Sequence, residues 1–462
     1  MYDLRRRPVL VLVHPIFVML AALGGVFTQS LSAQEPVSNN DTIQTIYREG
    51  VPHTNKQGKV LEHYDPVESF FPIAIWGAQR PGKQWESESD WSVLTEAGFN
   101  TVWPWFGPLE QVLDAAAEHN LQLVFMGEVN EDERELLKDA PQLLGNVWHD
   151  EPIGKLQSGE MDNMFAEFKA YQEAIHTIAP DLPVFINDAP WIMPPATDWW
   201  LKWNASASIS CHDNYPIMNR EHRANSIGAE PNGIPQSVSL GVANGNEKRP
   251  LWLIVGAFED PGEFGKPFAF RFPTPEQLRA SVYAGLIHGA TGIVYFTWDT
   301  YVPRDGNVIG MSPNPKVAYT PSPRQEGYTR PTPATPMQLV QSRSLWEATT
   351  KINEEIATLT PVLLSPTVGS EFSCAVSLEG EPITTNPLRV MIKALDDNRF
   401  LLLTVNLDDA MLKGTFTFDR ALQSVGTRFE NQLPLSLEEG VKAFSMSYEP
   451  FAVHVIEVTL AP

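Results

Sequence analysis

Two adjacent acids, Asp150 and Glu151, close a short apolar run over residues 144–149 and are followed at once by Pro152. Apolar residues that stop abruptly in carboxylates read as a buried strand delivering acids to its carboxyl end, where barrels and open parallel sheets keep their chemistry. Glu151 is therefore the first candidate for a catalytic acid, with Asp150 beside it. The competing reading makes both acids helix caps, because carboxylates favour helix N-termini. What stands at the ends of the other strands decides between the two.

Those strands follow a repeated grammar. Buried-strand patterns fall at residues 71–76, 101–105, 121–126, 144–150, 183–187, 207–211, 251–255 and 292–298. Helical patterns or helix-sized gaps separate them, at 87–97, 109–119, 160–178, 197–203 and 274–288, with a closing helix near 337–359. Thr274, Pro275 and Gln277 supply the cap, the first-turn proline and the capping-box glutamine of one helix. Met161, Met164, Phe165, Phe168, Ile175 and Ile178 keep helical spacing and read as core packing. Eight strands alternating with helices over residues 67–362 describe a (β/α)₈ TIM barrel, which typically takes about 250 residues. A doubly wound sheet is disfavoured because no glycine-rich phosphate loop follows the first strand. Residues 34–66 form a polar N-terminal arm, and residues 363–462 carry turn-separated strand runs at 389–394, 400–406, 414–418 and 452–459, a C-terminal antiparallel β-sandwich. The Pro-, Gly-, Ser- and Thr-rich stretch 299–336 is a candidate lid or substrate loop on the carboxyl face.

On this frame the carboxyl ends present Trp76, Trp103, Trp105, Glu128, Trp148, His149, Asp150, Glu151, Asn187, Asp188, His212, Asp213, Tyr215, Glu259, Trp298 and Asp299. Carboxylates ringed by aromatic faces suit glycoside cleavage, in which acids protonate the leaving oxygen and stabilise an oxocarbenium-like centre while flat rings stack on sugars. Trp76, Trp103, Trp148 and Trp298 are expected to share one cleft, and Asp150, Asn187, Asp213 and Tyr215 to contact the substrate. All thirteen tryptophans lie between Trp76 and Trp346, so the C-terminal module reads as supporting structure. His149, His212 and Asp213 could converge on a catalytic metal, but no HExxH or comparable spacing accompanies them. No cofactor is implied.

The formal charge of −23 on 462 residues excludes the basic stripe that nucleic-acid binding requires and favours neutral substrates. Arg5, Arg6 and Arg7 precede the apolar stretch 9–27, and small residues end at Ala33. That order reads as a signal peptide over residues 1–33, cleaved after Ala33, with export to the periplasm or beyond the cell and no membrane attachment thereafter. Its removal takes the charge from −23 to −25. Only Cys211 and Cys374 are present, which excludes a disulfide framework and leaves a single bridge open.

Strand four ending in Asp150-Glu151-Pro152, the run Asp213-Asn214-Tyr215-Pro216, and the block PTPEQLRASVYAGLIHGATGIVYFTW over residues 273–298 resemble the large clan of barrel glycoside hydrolases, especially its secreted bacterial branches. The resemblance covers roughly residues 70–460. It implies cleavage of O-glycosidic bonds in a carbohydrate, with a glutamate ending strand four as acid/base and a glutamate ending strand seven as nucleophile. Glu151 matches the first role, with Asp150 where the clan usually has asparagine. At strand seven Val255-Gly256-Ala257-Phe258 carries no glutamate, so the nucleophile falls to Glu259 just beyond it, with Glu128, Asp213 and Glu263 as substitutes. Trp298 resembles the strand-eight tryptophan that floors the site. A barrel that has lost its nucleophile and only binds glycan is the non-enzyme alternative.

Overall fold

A computed structural model describes residues 51–78, 91–104, 107–190, 194–218, 227–230, 232–260, 270–298, 308–312, 334–366, 374–379, 387–430 and 435–462. The leader, the helix start at Ser87, Trp105, Glu263 and most of the 299–336 stretch lie outside the described residues.

Eight parallel strands form the barrel sheet: β1 (Ile73–Trp76), β2 (Thr101–Trp103), β3 (Gln122–Met126), β4 (Leu143–Asp150), β5 (Val184–Asn187), β6 (Ser210–Asn214), β7 (Leu251–Gly256) and β8 (Gly292–Phe296). Their order is β5-β4-β3-β2-β1-β8-β7-β6, so β5 and β6 meet at the closing seam. Seven helices follow the chain as α1 (Ser92–Glu96), α2 (Leu109–Glu118), α3 (Met161–His176), α4 (Ala196–Ala205), α5 (Ile234–Asn244), α6 (Pro275–His288) and α7 (Pro336–Leu363) among the described residues.

Large aromatics fill the lumen. Trp76 and Trp103 stack at 4.5 Å, Trp103 meets Phe185 of β5 edge-on, and Phe185 meets Trp252 of β7 in the same way. Strands β2, β5 and β7 are not neighbours in the sheet, so these rings touch only because they point inward. Gly292 makes this possible, since a Cβ there would come within 2.5 Å of the Trp252 ring. Helix α6 starts with the capping box anticipated from sequence: the Gln277 N–H donates to Thr274 Oγ1 at 3.2 Å and the Thr274 N–H donates back to Gln277 Oε1 at 3.1 Å.

The C-terminal region is an antiparallel sandwich. Strands β9 (Cys374–Glu379), β12 (Leu412–Phe418) and β14 (Ala443–Tyr448) form one sheet. Strands β10 (Leu388–Ala394), β11 (Arg399–Asn406), β15 (Val453–Leu460) and β13 (Leu422–Thr427) form the other, in that order. Phe400, Leu402, Ile456 and Val458 face the sandwich core with Phe416 and Phe444. The alternate residues Leu401, Leu403, Val405, Val453 and Val455 join the barrel's core cluster instead. Burial of both faces explains why β11 reads as a near-continuous apolar run and not an alternating one. Arg279 of α6 reinforces the seam by donating to the Val453 carbonyl at 2.9 Å and to Glu355 of α7 at 3.0 Å.

Candidate active site

Strand alternation and one irregularity place the acids. Residues Val147 and Asp150 of β4 pair with Phe185 and Asn187 of β5, and the register slips between Val147 and His149. Trp148 is the extra residue of that bulge, and a bulge re-aims the side chains around it. The Trp148 ring turns to the helical layer, 5.7 Å from Phe168 of α3 and 6.1 Å from Trp203 of α4, and its Nε1 donates to Glu128 at 3.0 Å. The same irregularity brings Asp150 round to face Asn187.

At the seam, Asn187 Nδ2 donates to Asp150 Oδ1 at 2.9 Å and to Asp213 Oδ1 at 3.0 Å. Two N–H bonds of one planar amide diverge by about 120°, so the accepting oxygens stand about 5 Å apart. Unit charges at that spacing repel by about 3 kcal/mol at an effective dielectric constant of about 20, a cost that the shared donor offsets. Cys211 lies one inward position before Asp213, with its thiol 3.9 Å from Asn187 Oδ1. That thiol is free, so a Cys211–Cys374 bridge does not form.

Glu151 follows in the left-handed region, at φ 47° and ψ 57°, which is unusual for a residue with a Cβ. Its N–H donates to the Asn187 carbonyl at 2.8 Å, and the Ile153 N–H donates to Asp188 Oδ1 at 3.3 Å, so the turn after β4 is fastened to the end of β5. The outcome is four carboxyls together. Burial, then the charges of Asp213, Asp150 and Asp188, push the Glu151 carboxyl well above the usual range. Burial raises Asp150 to about 7, with the Asn187 bond opposing and Asp213 adding to the rise. Asp213 is raised by burial to about 6, again against the Asn187 bond. Asp188 is pushed well up by burial, the Ile153 bond opposing, and its Oδ2 is buried without a hydrogen-bond partner. Asp188 and Asp213 are enclosed, whereas Asp150 and Glu151 keep part of their surface accessible. Burial thus favours the protonated form at Glu151 and Asp188, while the Asn187 bonds favour the ionised form at Asp150 and Asp213.

Several expected participants stand elsewhere. Glu259, expected to face Glu151, pairs backbone to backbone with Ile309, and its carboxylate accepts from Gln338 at the start of α7 at 2.5 Å. It contributes none of the charges acting on Glu151. Glu128 is engaged by Trp148. The four tryptophans do not line one cleft. Trp76 and Trp103 stack in the lumen, Trp148 faces α3 and α4, and Trp298 packs 5.0 Å from Trp346 of α7. Trp298 lies beyond the end of β8, where strand alternation no longer orients it, and the bulge removes Trp148. His149, His212 and Asp213 diverge: His149 Nδ1 lies 2.6 Å from the Asp150 carbonyl, His212 faces Ser237 at 3.1 Å and the edge of Trp200, and Asp213 points inward. Burial lowers His212 to about 3, leaving it neutral. Among the described residues no group of three or more His, Cys, Asp or Glu could hold a metal ion.

Tyr215 sits two residues beyond Asp213. Its ring stacks on Phe296 at 5.5 Å and meets Phe258 and Phe270 edge-on. Tyr215, Phe258 and Phe270 line a small hollow with Gly256 and Arg271. Phe296 in turn meets Trp76 edge-on, so aromatic packing is continuous from the lumen to this rim.

Neither a protein family nor a curated protein matches this sequence. Solved structures do share its fold. A β-galactosidase from Bacillus circulans sp. alkalophilus superposes with a TM-score of 0.50 at 10% identity, over 84% of this chain and 99% of that one. An exo-carrageenase from Bacteroides ovatus aligns with a TM-score of 0.47 at 9% identity, over 90% and 86% of the two chains. A β-galactosidase from the haloarchaeon Halorubrum lacusprofundi aligns with a TM-score of 0.41 at 14% identity, over 62% of this chain, which spans 58% of that protein. The structures this chain resembles are glycoside hydrolases, and at such identities the shared property is the fold.

Proposed function

We propose that this protein is an exported glycoside hydrolase that cleaves O-glycosidic bonds of a neutral oligo- or polysaccharide, with Glu151 as general acid and Asp213 as the ionised partner. The observation that carries this reading is the group of four carboxyls at the ends of β4, β5 and β6, in which burial and neighbouring charge raise Glu151 while an Asn187 N–H bond opposes the rise at Asp213. Glycoside cleavage needs that division, one acid to protonate the leaving oxygen and one carboxylate to stabilise or attack the anomeric carbon. Asp213 takes the second role in place of Glu259, whose carboxylate is committed to Gln338. Export rests on the leader pattern, and the mass of the mature protein tests trimming after Ala33.

The test of the reaction is turnover of a panel of neutral oligosaccharides and aryl glycosides. Glu151→Gln and Asp213→Asn each lower turnover by about 10² or more, the size of an acid–base or electrostatic contribution, while Glu259→Gln stays within a few-fold of wild type. Binding of the panel without turnover by the wild type assigns the protein to the glycan-binding alternative.

A further inference from the structure

We propose that Asn187 is the positioning residue of this site: its side-chain amide holds Asp150 of β4 and Asp213 of β6 as paired acceptors beside Glu151. The role rests on the acid–base reading above. Both protons of the amide are used, at 2.9 Å and 3.0 Å. An NH₂ group donates and cannot accept, so the oxygen facing it on each aspartate is unprotonated. Glu151 and Asp188 accept nothing from this amide; the Asn187 carbonyl takes the Glu151 N–H, and Asp188 Oδ1, just beyond β5, takes the Ile153 N–H.

The amide is also the sole side-chain donor reaching Asp150 and Asp213 among the described residues, and no ion pair there involves any of the four acids. The titratable groups facing it are Asp150 and Glu151 from the end of β4, Asp188 from β5, and Cys211 and Asp213 from β6. Among the described residues no cation pairs with these acids, so removing the amide takes away the side-chain donor that favours their charged form. The Cys211 thiol adds orientation, because a donor facing Asn187 Oδ1 disfavours the flipped amide.

The experiment is a pH titration of the full-length protein labelled with ¹³C at the aspartate carboxyl carbons, read by NMR and therefore independent of turnover. In Asn187→Leu the midpoints of Asp150 and Asp213 rise by about one pH unit, as expected for loss of a hydrogen bond to the charged form, and the acidic limb of kcat/KM moves up with them. Cys211→Ser, which keeps a donor, leaves the midpoints in place. Should Asn187→Leu fail to fold, Asn187→Ser is the second variant, and at least one midpoint must rise because a hydroxyl donates one bond in place of two. Unchanged midpoints in a folded variant overturn the assignment. Raised midpoints in a protein without glycosidase turnover preserve the amide's role and refute only the proposed reaction.

Discussion

The N–H of Glu151 donates to the carbonyl of Asn187 at 2.8 Å, tying the residue after β4 to the end of β5 while Glu151 occupies the left-handed region at φ 47°. A residue with a Cβ bears about 1 kcal/mol there that glycine does not. Glu151→Gly is expected to raise stability in denaturant by about 1 kcal/mol or more, because it also removes a poorly solvated carboxyl, and to abolish turnover. Loss of stability in this variant would show that the carboxyl group holds the turn together.

The raised carboxyls make stability depend on pH in a direction opposite to ordinary ion-paired acids. Asp150 and Asp213 are raised from 3.8 to about 7 and about 6, so between these limits the folded chain binds more protons than the unfolded one. Their contribution is fully present below about pH 4 and is lost as pH rises through about 6 to 7. Denaturation measured from pH 4 to 8 should show that decline, and the double variant Asp150→Asn, Asp213→Asn should flatten it. An unchanged slope in the double variant contradicts the shifts.

Trp148 stands among Phe168 and Trp203 and not in the lumen. Trp148→Ala should therefore cost about 3–5 kcal/mol of stability, the range for emptying an aromatic core site, with little change in KM. A large rise in KM with stability intact would return this ring to the substrate.

The placement of Trp148 marks where sequence reasoning ran out. Apolar runs bounded by turn residues located all eight barrel strands, and Thr274 with Gln277 located the start of α6, because these signals are local. The bulge at Trp148 leaves no local sign, since Gly145-Asn146-Val147-Trp148 reads as uninterrupted strand. Strand β6 was expected at 207–211 and runs Ser210–Asn214. Its polar residues look like a strand end, yet they pair because barrel closure supplies partners for Cys211, His212 and Asp213 across the seam and in the helical layer. Glu151 and Asp213 were both legible as strand-end acids. That Asp213, and not Glu259, acts on Glu151 depends on β5 and β6 meeting, a tertiary fact that spacing in the chain does not encode.

The most direct test is the turnover of Glu151→Gln on a glycoside with a poor leaving group, measured beside its affinity for the same glycoside. The variant keeps the shape of the side chain and removes its transferable proton. The expected result is a fall in kcat by about 10² to 10⁴ with binding retained. Turnover at the wild-type rate would contradict the assignment of Glu151 as the acid and with it the proposed reaction.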